Sequence, residues 1–178
     1  DLKYQWAQSL TRPIVDATQA LLACVTGGGK ILICGNGASG ALAQYAAALL
    51  VGGLERPRPE LPALALGTDA ATLTAVARRG EYADAFAAQV RALGSAGDVL
   101  LVLSSNGNAT NLVRAAQAAH EREMSVIALT GRRRRTGPFA ARYRCPRVRA
   151  ARAYAAHSRG APAGAALPVR RPRPATSG

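Results

Sequence analysis

This 178-residue chain predicts a parallel, doubly wound α/β sheet, on three observations. Two short apolar segments, Lys30–Cys34 and Val99–Leu103, each run straight into a loop of Gly, Asn and Ser. Each loop then opens a helical segment. Strand-like and helix-like segments also alternate through the stretch between and beyond them. Loops of this kind at the carboxyl ends of parallel strands share one crevice. Backbone N–H groups at a helix start, beside small hydroxyl and amide side chains, suit a phosphate. A phosphorylated small molecule is therefore the expected ligand.

The elements follow in chain order. Residues 3–26 space Trp6, Leu10, Ile14, Ala17, Leu21 and Leu22 near 3.6 residues. Pro13 falls inside that span and is expected to part it into two helical pieces. Gly27-Gly-Gly29 ends the second piece and the strand at 30–34 follows. Ser39–Val51 is an Ala- and Leu-rich helix, apolar nearly all round, the pattern of a helix covered by the sheet and by a partner subunit. Arg56-Pro-Arg-Pro59 is a loop, and Leu61–Leu66 a short buried strand. Asp69–Arg78 and Glu81–Leu93 read as helices parted by Gly80. After the strand at 99–103, Thr110–Arg122 is an amphipathic helix and Met124–Leu129 a fourth strand.

Past Gly131 the pattern stops. Residues 1–131 hold ten Lys/Arg and ten Asp/Glu, whereas residues 132–178 hold thirteen Arg and no acid, so the whole +13 charge sits in the tail. Six of the ten prolines lie there too. Read literally, 132–178 is a cationic, disordered extension of a domain at 1–131. The chain is long enough for one domain with a real core. Its three cysteines, Cys24, Cys34 and Cys145, lack framework or metal-ligand spacing and point to reduced thiols in the cytoplasm. No apolar run is long enough for a membrane span. No signal peptide is visible, and the missing initiator Met points to a trimmed or partial chain.

Gly35-Asn-Gly-Ala-Ser-Gly40 matches G-x-G-x-x-G literally, with Glu55 twenty residues after Gly35, which raises a dinucleotide site. Against it, Glu55 precedes a Pro-rich loop instead of closing a strand. A ligand-free turn is the bland alternative. The second loop, Ser104-Ser-Asn-Gly-Asn-Ala-Thr110, shifts the weight toward a phosphate site shared by both loops. Ser39 and Thr110 can also serve as helix caps. His120 reads as a surface residue on an outer helix.

Both loops, with Asp69 ending the strand between them, resemble the sugar isomerase (SIS) domain family over about residues 5–131. The phosphoheptose isomerase branch is the nearer match. The stretches Leu61–Asp69, Leu73–Ala77 and Gln89–Leu101 look most like its replication initiator-associating members. The resemblance implies a flavodoxin-like three-layer αβα fold, with N-terminal helices at 3–26 and an αβ core at 30–131. It also implies a homo-oligomer, a tetramer in the family. Asn36, Gly37, Ala38 and Ser39 match its first ligand loop and Ser104, Ser105 and Asn106 its second; Asp69 and Thr110 complete the expected ligand contacts. The family's last serine of the second loop is Ala109 here, with Thr110 one residue out of register.

The isomerase branch carries a metal-binding His and a Glu, base and metal ligand, on the helix after the first loop. Those positions are Tyr45 and Leu49, so neither zinc nor any other cofactor is expected. An Asn-Asp pair of the family is Arg78-Arg79, which reads as a contact to a sugar phosphate or as a solvated helix end. The expectation is thus a sugar-phosphate-binding protein without catalysis, of the kind that partners a replication initiator. The alternative is a phosphoheptose isomerase, converting sedoheptulose 7-phosphate to D-glycero-D-manno-heptose 7-phosphate. A third reading, the Arg-rich tail as a nucleic-acid arm, lacks aromatic interleaving beyond Phe139, Tyr143 and Tyr154.

The family's fifth strand and last helix are missing from 132–178 or replaced by non-native sequence. Shifting the reading frame of His157–Val169 by one base permits Ile-Gln-Glu-Val-His-Leu-Leu-Ala-Leu-His-Cys-Leu-Cys, like the family's terminal helix, and Arg133–Arg135 becomes Asp-Gly-Gly. A frameshift near Gly131 is therefore hypothesised. Its loss of a covering helix should cost several kcal/mol against a total stability of only ~5–15 kcal/mol.

Overall fold

The structure, a computed structural model, describes residues 2–53, 57–130 and 148–151. In chain order it forms α1 (Leu2–Thr26), β1 (Ile31–Gly35), α2 (Ala38–Gly52), β2 (Ala63–Ala65) and α3 (Ala70–Arg79). A 3-10 turn at Tyr82–Asp84 leads into α4 (Ala85–Leu93), β3 (Val99–Ser104), α5 (Thr110–Glu121), β4 (Ser125–Thr130) and β5 (Val148–Ala151). The strands make one parallel sheet in the order β2-β1-β3-β4-β5. The α/β, doubly wound class is as the sequence predicts.

Period-2 alternation splits the strand side chains between two cores. Leu32, Cys34, Leu100, Val102 and Val126 pack with Phe86 and Val90 of α4 and with Leu112 of α5 on one face. Ile31, Ile33, Val99 and Ile127 pack with Ala17 and Cys24 of α1 and with Ala43 and Ala47 of α2 on the other. Both faces are covered, which is why the strands read as continuous apolar runs without polar alternation.

The strand order reverses direction between β1 and β3, which pair with Gly35 opposite Leu103. That is the topological switch point of a 2-1-3-4-5 sheet, where the loops leaving adjacent strands diverge and open a crevice. The two Gly/Asn/Ser loops are the ones leaving β1 and β3. The topology thus places the site.

Two expectations are corrected. The helix at 3–26 is unbroken through Pro13: the ring removes one backbone donor, and the turns on either side carry the helix past it. The helix expected at Glu81–Leu93 starts as the 3-10 turn and becomes α-helical only at Ala85. In the tail, where the family's fifth strand was expected to be missing or non-native, Val148–Ala151 pairs with β4. The edge of β4 presents unpaired N–H and C=O groups, and backbone pairing needs only an extended segment, whatever its side chains. The rest of the tail, with Cys145, Phe139, Tyr143, Tyr154 and His157, lies outside the described residues, as does Glu55. Among those described, no helix is long and apolar enough to cross a membrane.

Candidate functional site

The first loop turns sharply because Gly35 and Gly37 allow it. A Cβ on Gly35 would lie 2.6 Å from the Ser39 carbonyl oxygen, so only a bare Cα lets α2 start this close to β1. Gly37, at the N-cap of α2, sits at φ +55°, a conformation costly to residues with a Cβ. The Ser39 and Gly40 amides turn back to donate to the Asn36 and Gly37 carbonyls, at 3.0 and 2.9 Å. Those two amides are therefore spent on the turn, and Ser39 contributes its hydroxyl.

In the second loop the buried Ser104 hydroxyl accepts from the Gly107 amide at 2.9 Å, which leaves its own O–H to donate. Asn106 accepts from the Asn108 amide at 3.0 Å, closing an Asx turn. The two loops meet. Asn36 and Ser39 from the first, with Ser104, Ser105 and Asn106 from the second, line one cavity of about 100 Å³ closed by Leu103, Ala109 and Leu112. That exceeds the ~10–15 Å³ one water requires. No Lys or Arg lines it, so an anion there would meet only neutral donors.

The other expected ligand contacts are placed differently. Gly37 lines a second cavity of about 260 Å³, which shares Asn36 with the first and extends along Gln44, Leu66, Leu73, Tyr82 and Phe86. Ala38 is exposed, and Thr110 lines neither cavity. Asp69 caps α3, accepting from the Ala71 amide at 2.9 Å and the Thr72 hydroxyl at 2.5 Å. The Thr72 hydroxyl, then the backbone amides, hold its carboxyl below the ordinary range. Arg78 and Arg79 are exposed in the last turn of α3, where cations meet the helix dipole favourably. The capping alternative fails: the N-caps of α2 and α5 are Gly37 and Ala109, and neither helix has a side-chain cap.

Sequence reading missed Asn111. It lies 5% exposed in the first turn of α5 and exchanges two hydrogen bonds with Asn36 across the crevice, at 2.9 and 2.8 Å. The available signal was an Asn just inside a helix start, where it is a poor helix former unless its amide has a partner. Gln44, Tyr82 and Phe86 were missed too, because they converge only once α2, the 3-10 turn and α4 have packed.

Comparison with known proteins bears on this geometry. A family model described as "SIS domain" matches residues 1–131. The phosphoheptose isomerase of Methylibium petroleiphilum is 52% identical over 132 residues, covering 74% of this chain and 66% of that protein. The one from Chromohalobacter salexigens is 47% identical over 128 residues, covering 71% and 65%. The chain thus spans slightly less than two thirds of the length of these relatives. Among solved structures, a phosphoheptose isomerase from Neisseria gonorrhoeae superposes with a TM-score of 0.75 at 43% identity, and one from Francisella tularensis with 0.77 at 40%; each match covers 84% of this chain and 77% of the other.

These likenesses overturn the expectation of a non-catalytic, replication initiator-associating protein and favour the isomerase alternative. That expectation leaned on Tyr45 and Leu49 of one helix and on three short stretches, Leu61–Asp69, Leu73–Ala77 and Gln89–Leu101, whereas the isomerase relatives match over 132 and 128 residues. Fold, loops and matched length lead to one conclusion: the chain belongs to the SIS domain family, on its phosphoheptose isomerase branch.

Proposed function

We propose that this chain binds a sugar phosphate in the β1/β3 crevice and serves a phosphoheptose isomerase, interconverting sedoheptulose 7-phosphate and D-glycero-D-manno-heptose 7-phosphate. The observation that carries the reading is the convergence of Ser39, Ser104 and Ser105 on one cavity. Three hydroxyls from two loops are a donor set for phosphate oxygens. The larger neighbouring cavity, with Gln44 and Tyr82 as polar groups on an otherwise apolar wall, offers room for the polyol chain.

An aldose–ketose isomerisation moves a proton between adjacent carbons and needs a base and an acid. The residues lining the two cavities include no His, Asp, Glu or Lys, so their part is to bind and orient. The zinc of the isomerase branch does not fit its corresponding positions. Leu49 has no donor atom, Tyr45 is 60% exposed, and no metal-binding group of His, Cys, Asp or Glu occurs among the described residues.

The reading includes self-association. Leu42, Tyr45 and Val51 of α2 and Leu64 of β2 are exposed, and an apolar groove runs between these elements along Ala48 and Ala63. Exposed apolar area of this kind favours a second copy of the chain.

The test is proton NMR of sedoheptulose 7-phosphate with the purified protein in D₂O. The expected result is appearance of the aldose with solvent deuterium at C2, and a light-scattering mass above that of the monomer. Folded protein that gives no aldose at saturating ketose would overturn the isomerase reading.

A further inference from the structure

We propose that Asn111 is a positioning residue: with Asn36 it forms an amide clamp that sets the gap between the two anion loops. The inference rests on the sugar-phosphate reading of the crevice and adds to it a residue that touches no ligand. Asn36 follows directly on β1 and Asn111 stands in the first turn of α5, 75 positions later. Asn36 Nδ2 donates to Asn111 Oδ1 at 2.9 Å, and Asn111 Nδ2 donates back to Asn36 Oδ1 at 2.8 Å.

A reciprocal amide pair alone is degenerate, since turning both groups over yields the same two bonds. Here the Leu112 amide breaks the tie. It donates to Asn111 Oδ1 at 3.0 Å, so a flipped Asn111 would put NH₂ against N–H. One orientation is therefore selected, and the clamp is tied to the first turn of α5. Asn111 is nearly fully buried, where an unmet amide is costly. Asn36 lines both cavities. It cannot swing toward a ligand without abandoning two bonds, so its contribution to the site is chiefly to hold Ser39 opposite Ser104 and Ser105.

A double-mutant cycle on the full chain tests this: Asn36→Ala, Asn111→Ala and the pair, with inorganic phosphate titrated by calorimetry and thermal unfolding recorded on each. Asn36→Ala leaves the Asn111–Leu112 bond in place and is the variant that keeps the fold if Asn111→Ala does not. The expected result is phosphate affinity lowered on the order of tenfold by either single change and no further by both, below the ~10²-fold a 1 Å misplacement can cost. In turnover the loss should fall on KM with kcat retained. Unchanged phosphate affinity in folded Asn36→Ala, additive losses in the pair, or no phosphate binding by the parent would each overturn the clamp. Phosphate binding that couples as expected in a protein without turnover would uphold the clamp and sink the isomerase reading.

Discussion

Adding one methyl group at Gly35 should damage the site more than adding one two residues later. A Cβ at Gly35 meets the Ser39 carbonyl oxygen at 2.6 Å, its carbon at 2.7 Å and the Ser39 Cβ at 2.9 Å. Ordinary contact begins at 3.4 Å. The start of α2 must therefore retreat by about 0.8 Å, and the obstacle is backbone, which no rotamer change relieves. Overpacking of this kind costs about 1–3 kcal/mol. The retreat also moves Ser39 and Asn36, so phosphate affinity should fall roughly 10- to 100-fold.

At Gly37 a Cβ meets nothing within 4 Å, but φ is +55°. Gly37→Ala then costs about 1–3 kcal/mol of backbone strain, partly offset by the ~0.4–1 kcal/mol from a stiffer unfolded chain. Urea unfolding and phosphate calorimetry on both variants measure the contrast. Gly35→Ala within about 0.5 kcal/mol of the parent and equal in phosphate affinity would refute the reasoning. So would a larger loss from Gly37→Ala.

Four further outcomes are expected. Asp98, 3% exposed at its side chain, accepts from the Lys30 and Ser95 amides at 2.9 and 2.8 Å and from Lys30 Nζ at 2.6 Å. Burial pushes its carboxyl up, but the Lys30 and Ser95 hydrogen bonds outweigh it and hold it below the ordinary range. Its stabilisation is thus full above the unfolded pKa of about 3.9 and is lost as pH falls through the lower folded value. Acid unfolding of parent and Asp98→Ala should converge below that window, with the variant about 2–4 kcal/mol weaker at pH 7. Ser39→Ala and Ser105→Ala should each weaken phosphate binding several-fold to tenfold by calorimetry, without lowering the unfolding midpoint. Burial raises the Cys34 thiol to about 12, so a thiol reagent at pH 8 should modify Cys34 only in denaturant, and labelling mapped to Cys34 in the folded protein would contradict that. Resequencing the gene near Gly131, where the family match ends, should reveal a one-base displacement; an intact frame through Gly178 would end that idea.

How much was legible in the chain follows from which interactions are local. The alternation of strands and helices, and the two Gly/Asn/Ser loops, were written in residues adjacent in sequence. Apolar period, turn glycines and helix starts act over a few positions and need no tertiary partner. Asp69 was picked out by its place at a strand end, and the structure uses it as the cap of α3, a role that also depends on its neighbours alone. Pro13 was over-weighted because a local rule was applied to a helix whose flanking turns hold it together.

Packing decided the rest. Asn111 meets Asn36 only because β1 and β3 lie side by side in the sheet, and no spacing rule links positions 36 and 111. Val148–Ala151 became a strand through the open edge of β4. The second cavity exists only where α2, the 3-10 turn and α4 close on the loop after β2. Chain-local chemistry thus specified the parts and the Gly/Asn/Ser turns. Strand order brought those turns to opposite sides of one crevice, because separations of many tens of residues are spanned only by the folded sheet.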